Sequence, residues 1–258
     1  MGRERIDRIL VDRGLAESRT KAQALVMAGV VLVDEQRVNK PSEKFALDAT
    51  VRLKAGGELR FVSRGGLKLE AALREFSLDA AGLTCLDVGA STGGFTDCLL
   101  QHGARKVCAV DVGHNQIDWR LRNDPRVDLR EGVNARYLEQ SDFAGKFDLI
   151  TIDVAFISAT KILPAIVPLL NHAGRVITLI KPQFEVGKGE VGKGGIVKDP
   201  KQRERVVEEV HGCARALGLT VAGLIESPIE GADGNVEFLA LYLRSVPGAI
   251  ASGSLSDS

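Results

Sequence analysis

No two of the four cysteines, Cys85, Cys98, Cys108 and Cys213, form a C-x-x-C pair, so neither a redox dithiol nor a cysteine zinc site is expected. Three of them fall inside apolar runs and read as reduced core residues of a cytoplasmic protein. The four histidines, His102, His114, His172 and His211, lack ligand spacing, and no metal is expected. Long apolar runs are missing as well. Leu25 to Val33 and Ile162 to Leu170 fall far short of the roughly 20 residues that cross a bilayer. The start of the chain, Gly2-Arg3-Glu4-Arg5-Ile6-Asp7-Arg8, is charged with no apolar segment behind it, so neither a membrane partner nor a standard secretion signal is expected. Net charge is also absent, with 34 basic against 34 acidic residues, which excludes a polycation. A composition of 45% hydrophobic and 26% charged residues excludes a fibrous or disorder-dominated chain. At 258 residues there is room for one α/β domain and a small appendage.

What is present begins with Leu86-Asp87-Val88-Gly89-Ala90-Ser91-Thr92-Gly93-Gly94-Phe95-Thr96. An apolar run from Thr84 to Val88 stops at a glycine-rich turn and opens into an amphipathic segment from Phe95 to His102, which spells strand, tight turn, helix. Glycine there lets the backbone approach a ligand. A second β-like run, Lys106 to Val110, ends on Asp111, about 20 residues beyond the turn, where such folds bind a ribose hydroxyl. The spacing is looser than G-x-G-x-x-G and suits S-adenosylmethionine, which has no pyrophosphate to seat. Gly89, Ala90, Ser91, Thr92 and Gly93, flanked by Asp87 and Phe95, are therefore expected on the methionine side of that cofactor, and Asp111 on its ribose. Asn134, after a third strand, is the candidate adenine contact, with a plain turn residue as the alternative.

The chain divides into residues 1–60, 61–245 and a Gly/Ala/Ser-rich tail, 246–258, expected to be disordered. Near the start, Ile6, Ile9 and Leu10 fall at helical spacing, and Ser18 is a fair N-cap for a second helix with Ala22, Leu25 and Val26 on one face. A hairpin is expected around Asp34-Glu35-Gln36, with another strand near Thr50 to Leu53. Residues 1–74 hold 15 basic against 10 acidic side chains, which favours a phosphate-bearing partner for this part. Beyond residue 60, strands are expected at Thr84–Val88, Lys106–Val110, Val127–Arg130, Phe147–Ile152, Arg175–Ile180, Leu219–Glu226 and Glu237–Leu243. They alternate with helical stretches such as Leu67–Glu75, Ile162–Leu170 and Gln202–Ala216. The fold class is therefore α/β: a doubly wound, mostly parallel, seven-stranded Rossmann-like sheet preceded by a small α+β domain, with ligands at strand C-termini.

Four charged residues, Lys68, Asp153, Lys181 and Glu237, stand at the ends or mouths of expected elements. Singly each is weak: a lysine after a buried strand is often the first residue to reach water, and Asp153 could cap a helix. Gly187-Lys188-Gly189-Glu190-Val191-Gly192-Lys193-Gly194 almost spells a phosphate-binding loop, but Gly194 replaces the Ser/Thr and no strand directly precedes it. A mobile basic loop beside the site, closing over a polyanion, is the better reading.

Two resemblances sharpen these signals. The run Arg5-Ile6-Asp7 … Gly14-Leu15 … Ser18-Arg19 … Gly29-Val30-Val31-Leu32-Val33-Asp34 … Val38-Asn39 resembles the S4-type RNA-binding domain over about the first 60 residues, with Glu35 where the hairpin usually carries glycine. That resemblance implies RNA contacts by Arg5, Arg13, Arg19 and Lys21. Ser63-Arg64-Gly65-Gly66-Leu67-Lys68, Leu86 to Phe95, Ile152-Asp153-Val154-Ala155-Phe156-Ile157-Ser158, Ile180-Lys181-Pro182-Gln183-Phe184-Glu185 and Gly234-Asn235-Val236-Glu237-Phe238 resemble the TlyA branch of FtsJ-type RNA 2′-O-ribose methyltransferases. The resemblance implies a Lys68–Asp153–Lys181–Glu237 tetrad, with Asp153 also near the cofactor. It further implies S-adenosylmethionine as donor, a cytidine 2′-hydroxyl in small- or large-subunit ribosomal RNA as acceptor, and Arg64, Lys188 and Lys193 beside the RNA. Lys181 is the expected proton acceptor, which requires it to be neutral at transfer; the alternative is that Lys181 orients the hydroxyl and Asp153 accepts. Monomer and homodimer both stay open. A small-molecule methyltransferase and a haemolysin-like membrane-active protein, a label carried in this family, are the alternatives.

Overall fold

The computed structural model describes residues 2–27, 29–53, 60–187, 189–192, 194–231 and 234–244. The expected tail and the candidate RNA contacts Lys188 and Lys193 lie outside the described residues.

The N-terminal unit runs β1 (Arg3–Arg5), α1 (Ile6–Asp12), α2 (Arg19–Met27), β2 (Val31–Val33), β3 (Gln36–Arg37), β4 (Lys44–Ala46) and β5 (Val51–Leu53). Ile6, Ile9 and Leu10 of α1 meet Ala22, Leu25 and Val26 of α2 in one buried cluster with Val31 and Val33, as their helical spacing requires. The Ser18 hydroxyl accepts the Lys21 amide at 3.2 Å and caps α2. Strands β3, β2 and β5 form one small sheet, while β1 pairs antiparallel with β4. That last pair gave no alternating pattern in the sequence, because each strand is only three residues long and has no fully buried side chain. In the β2–β3 hairpin Val33 faces Gln36 across a two-residue turn, with Asp34 at φ 47° and Glu35 at φ 64°. Both residues are left-handed, the geometry of a type I′ turn. Glu35 thus adopts a backbone that glycine would take without strain, and an ion pair with Arg52 holds it there.

The larger unit is a seven-stranded sheet of β6 (Thr84–Val88), β7 (Lys106–Asp111), β8 (Val127–Glu131), β9 (Phe147–Ile152), β10 (Leu170–Ile180), β11 (Leu219–Glu226) and β12 (Phe238–Arg244), in the order β11-β12-β10-β9-β6-β7-β8. Strands β6 to β10 are mutually parallel; β12 is antiparallel to both β10 and β11. The helices are α3 (Gly65–Glu75), α4 (Gly94–Gln101), α5 (Trp119–Arg122), α6 (Leu163–Ile166), α7 (Pro182–Glu185) and α8 (Pro200–Ala216). Side chains alternate between two layers. Leu86, Val88, Ile150, Ile152, Val176 and Ile180 pack on the α6 and α8 face, and Cys85, Leu149, Ile177 and Leu179 on the α3 and α4 face. Burial pushes the Cys85 and Cys108 thiols up to about 12, consistent with packing residues rather than nucleophiles.

One expected helix, Ile162–Leu170, is instead α6 followed by a 3-10 turn, Val167–Leu169. Pro168 has no amide hydrogen to continue an α-helix. Strand β10 then starts at Leu170, with its register against β9 shifting between Leu170 and Arg175.

Candidate active site

Strand order reverses at β6, with β7 and β8 on one side and β9 and β10 on the other, so the loops leaving β6 and β9 diverge around a crevice. Gly89, the first residue after β6, sits at φ +85°, and a Cβ there would lie 2.4 Å from the Asp153 carbonyl oxygen. Only glycine lets the two strand ends meet. The turn then passes through Ser91 at φ 48° and Gly93 at φ 95° before α4 begins.

The crevice holds two adjoining clefts. One, about 440 Å³, is walled by Gly89, Ser91, Asp111, Val112, Gln116, Val133, Asn134, Asp153, Phe156, Ile157 and Ile162. The other, about 390 Å³, is lined by Ala90, Thr92, Phe95, Arg64, Lys68 and Asp153, and by Thr20, Gln23 and Met27 of α2, so the N-terminal unit forms part of its wall. Gly89, Ser91 and Asp153 border both. The Asp111 carboxylate is fixed by two backbone amides, Ser91 N–H on Oδ2 and Gly113 N–H on Oδ1, each at 2.7 Å. Each oxygen retains a lone pair, which fits a vicinal diol, and the apolar walls from Val112, Val133, Ile157 and Phe156 fit a flat heteroaromatic ring. These residues suit S-adenosylmethionine in chemistry and in size. Asn134 borders this cleft and also caps the 3-10 turn Ala135–Tyr137, its Oδ1 accepting the Arg136 amide at 3.1 Å; it is both a lining residue and a turn residue.

Two expected cofactor contacts, Asp87 and Gly93, line neither cleft. Asp87 is fully buried. Its carboxylate accepts the Thr96 hydroxyl at 2.7 Å and the Thr151 hydroxyl at 2.9 Å, bracing α4 and β9 against β6. Burial pushes it up to about 6, against the pull of those two hydrogen bonds. Gly93 likewise stands behind the clefts, where a Cβ would strike Leu121 Cδ1 at 2.2 Å; its role is the left-handed turn into α4.

The four charged residues converge as two ion pairs, Lys68 with Glu237 and Lys181 with Asp153. The register explains how. Asp153 follows β9, Lys181 follows β10, and Phe238 of antiparallel β12 pairs with Ile180, which puts Glu237 at the same sheet end. Lys68 reaches that end from the first turn of α3. Glu237 is only 2% exposed, and it also accepts Gln183 Nε2 at 3.3 Å. Gly231 packs against it, since a Cβ there would sit 2.0 Å from Glu237 Oε1.

Of the candidate RNA contacts, Arg5 and Arg19 both donate to the buried Asp7 carboxylate, as does Gln23. Those bonds, Arg5 first, hold Asp7 well below the usual carboxylate range. Arg13 donates to the Ala49 and Leu47 carbonyls at 2.8 and 2.6 Å. Lys21 lies near Asp118 of the larger unit. Arg64 donates to the carbonyls of Met27, at 3.0 Å, and Glu230, at 3.1 Å.

Sequence reasoning missed Phe156, which is 91% exposed at φ 63° and rests on Phe184 with ring centroids 5.1 Å apart. An aromatic in a short turn has no periodicity to mark it; an apolar ring where the chain should be polar was the only available signal.

Comparison with known proteins agrees with this geometry. The FtsJ-like methyltransferase family matches residues 61–243 and the S4 domain matches residues 4–51. A Bacillus subtilis protein described as a candidate rRNA methyltransferase, YqxC, is 50% identical over 92% of this chain and 84% of its own. The 16S/23S rRNA (cytidine-2′-O)-methyltransferase TlyA of Mycobacterium tuberculosis is 43% identical over 99% of this chain and 96% of its own. A solved structure from Streptococcus thermophilus, described as a candidate hemolysin, is 47% identical and covers 95% of this chain and 90% of its own, with a TM-score of 0.75.

Proposed function

Because the chain belongs to the TlyA family of FtsJ-like, S-adenosylmethionine-dependent methyltransferases with an N-terminal S4 domain, we propose that it methylates the 2′-hydroxyl of a cytidine in ribosomal RNA. The observation that carries this reading is the pairing of Lys68 with Glu237 and Lys181 with Asp153 at one sheet end beside the glycine turn.

S-adenosylmethionine supplies a methyl group on a sulfonium centre, whose departure leaves a neutral thioether. This chain's residues do the rest. Asp111 holds the ribose of the cofactor and Asn134 its base edge, while Gly89 to Thr92 line its methionine side. A ribose hydroxyl attacks carbon only as its proton leaves. The Lys181–Asp153 pair receives that proton as the new C–O bond forms; Lys181 is the acceptor in one assignment and the group that orients the hydroxyl, with Asp153 accepting, in the other. Lys68 and Glu237 fix the neighbouring charge pattern, so the acceptor ribose meets a preorganised site.

Phe156 offers an exposed ring beside the cleft on which an unstacked base can rest. Arg5, Arg13, Arg19 and Lys21 of the S4 domain, Arg64, and Lys188 and Lys193 are the proposed RNA contacts. Among the described residues no helix is long and apolar enough to cross a membrane. We place residues 1–60 in the RNA-binding domain and 61–245 in the methyltransferase domain.

The test is to incubate the protein and labelled S-adenosylmethionine with isolated small and large ribosomal subunits, with naked RNA and with free nucleosides, and to map the modified ribose by mass spectrometry. A cytidine 2′-O-methyl in a subunit is expected. Label in nucleosides alone would make this a small-molecule enzyme, and liposome leakage without RNA methylation would make it membrane-active.

A further inference from the structure

The backbone ladder between β9 and β10 ends at Ile152 opposite Thr178. Beyond it β9 enters a turn that carries Asp153, and β10 runs on to Ile180 before the turn that carries Lys181. What ties the turns together is a row of side chains. Asp153 ion-pairs with Lys181, Phe156 packs on Phe184, and at the far end Glu185 receives both the Ser158 hydroxyl and, at 2.8 Å, the Ala159 amide. Ser158 in turn caps the 3-10 turn Ala159–Lys161, its hydroxyl accepting the Thr160 amide at 3.1 Å.

We infer that Glu185 is a positioning residue for methyl transfer: it clasps the Asp153 turn to the Lys181 turn and so holds the first ion pair in its reactive geometry. This rests on the function proposed above. The Asp153 turn needs such a clasp, because Phe156 is held in a left-handed backbone that bulky residues avoid. Released at Ser158 and Ala159, the turn can relax, and the strain reaches the Asp153 side chain although its amide stays bonded to the Val88 carbonyl at 2.9 Å. Glu185 itself lines neither cleft, so its effect reaches the reaction only through the two turns. Most of its side chain is enclosed, and burial raises its carboxyl above the usual range despite the bonds from Ser158 and Ala159, as a carboxylate kept for its contacts rather than for solvent would be.

The experiment compares wild type with Glu185→Ala, Glu185→Gln and Ser158→Ala under single turnover on the unmethylated form of the ribosomal subunit that wild type modifies, alongside S-adenosylhomocysteine affinity, RNA affinity and amide hydrogen exchange of residues 154–158. Misplacing a reacting group by about 1 Å costs on the order of 10²-fold in rate, so Glu185→Ala is expected to lose roughly that much, with both affinities within about threefold of wild type. Glu185→Gln keeps an acceptor for Ala159 and is expected to restore most of the rate. Ser158→Ala removes one bond and serves if Glu185→Ala does not fold; it should fall between. Exchange at residues 154–158 should quicken in the order Gln, Ser158→Ala, Glu185→Ala. An unchanged rate in Glu185→Ala, a Gln variant as slow as the Ala variant, or a matching loss of S-adenosylhomocysteine affinity overturns the clasp. If wild type transfers no methyl to any RNA, the proposed function fails separately, and unchanged exchange in Glu185→Ala still overturns the clasp while quickened exchange supports it.

Discussion

Arg64 donates one guanidinium nitrogen to the Met27 carbonyl at 3.0 Å, tying the last turn of α2 in the S4 domain to the head of α3, which carries Lys68. Its other terminal nitrogen reaches the Glu230 carbonyl on the segment leading to Glu237. The residue thus touches both domains and both approaches to the Lys68–Glu237 pair. Arg64→Ala is expected to raise KM for ribosomal RNA about tenfold, as the proposed RNA contact and the tie between the two domains are lost together, with S-adenosylhomocysteine affinity unchanged by calorimetry. An equal loss of cofactor affinity would place Arg64 in the cofactor site instead.

Asp111→Ala removes the carboxylate that Ser91 and Gly113 amides hold in place. Charged hydrogen bonds contribute about 1.5–3 kcal/mol, so S-adenosylhomocysteine should bind about 10- to 100-fold more weakly. RNA affinity in the absence of cofactor should not move. A variant that binds cofactor as tightly as wild type would remove Asp111 from the site.

For the Lys181–Asp153 pair, Lys181→Ala and Asp153→Ala should each slow single-turnover transfer by about 10²- to 10⁴-fold, the usual contribution of a positioned proton acceptor. The pH-rate profile separates their roles. Whichever variant loses the rise of rate with pH lacks the acceptor, while the other keeps the rise at a lower rate. Transfer at the wild-type rate in both would exclude the pair from the chemistry.

Asp87 makes the stability of the protein depend on pH in an uncommon direction. Its carboxyl is raised from an unfolded value near 3.8 to about 6, so the folded state binds the extra proton. That contribution is fully present below about pH 4 and is lost as pH rises to about 6; a shift of this size corresponds to roughly 3 kcal/mol. Asp87→Asn keeps a partner for Thr96 and Thr151, and its melting temperature relative to wild type should climb between pH 4 and 6. A constant difference across that range would mean that Asp87 titrates as an ordinary carboxylate.

Phe156→Ala should lower kcat/KM for ribosomal RNA, measured at saturating S-adenosylmethionine, by about 5- to 100-fold, the range of a lost base–aromatic stack. Phe156→Tyr should retain most of the activity. Equal activity in the alanine variant would reduce the ring to a partner of Phe184.

The elements were legible where local rules decide them. Thr84–Val88 and Phe147–Ile152 announce themselves as apolar runs bounded by turns, and Ser18 announces α2, because propensity, capping and periodicity act within a few residues. The tetrad was legible only through family resemblance, since nothing local joins Lys68 to Glu237 across 169 positions. Asp87 shows a related limit. Its place before the glycine turn is visible in the chain, but whether its carboxylate faces the cleft or the core depends on Thr96 and Thr151, which two other elements bring to it.

Sequence alone settled that a strand, a glycine turn and a helix would form at residues 84–101 and that an acid would end the next strand, because backbone sterics and burial act at short range. Tertiary structure alone decided which charges meet. The parallel register of β9 and β10 and the reversed entry of β12 bring Asp153, Lys181 and Glu237 to one sheet end, and strand order and direction are properties of the assembled sheet that no single segment encodes.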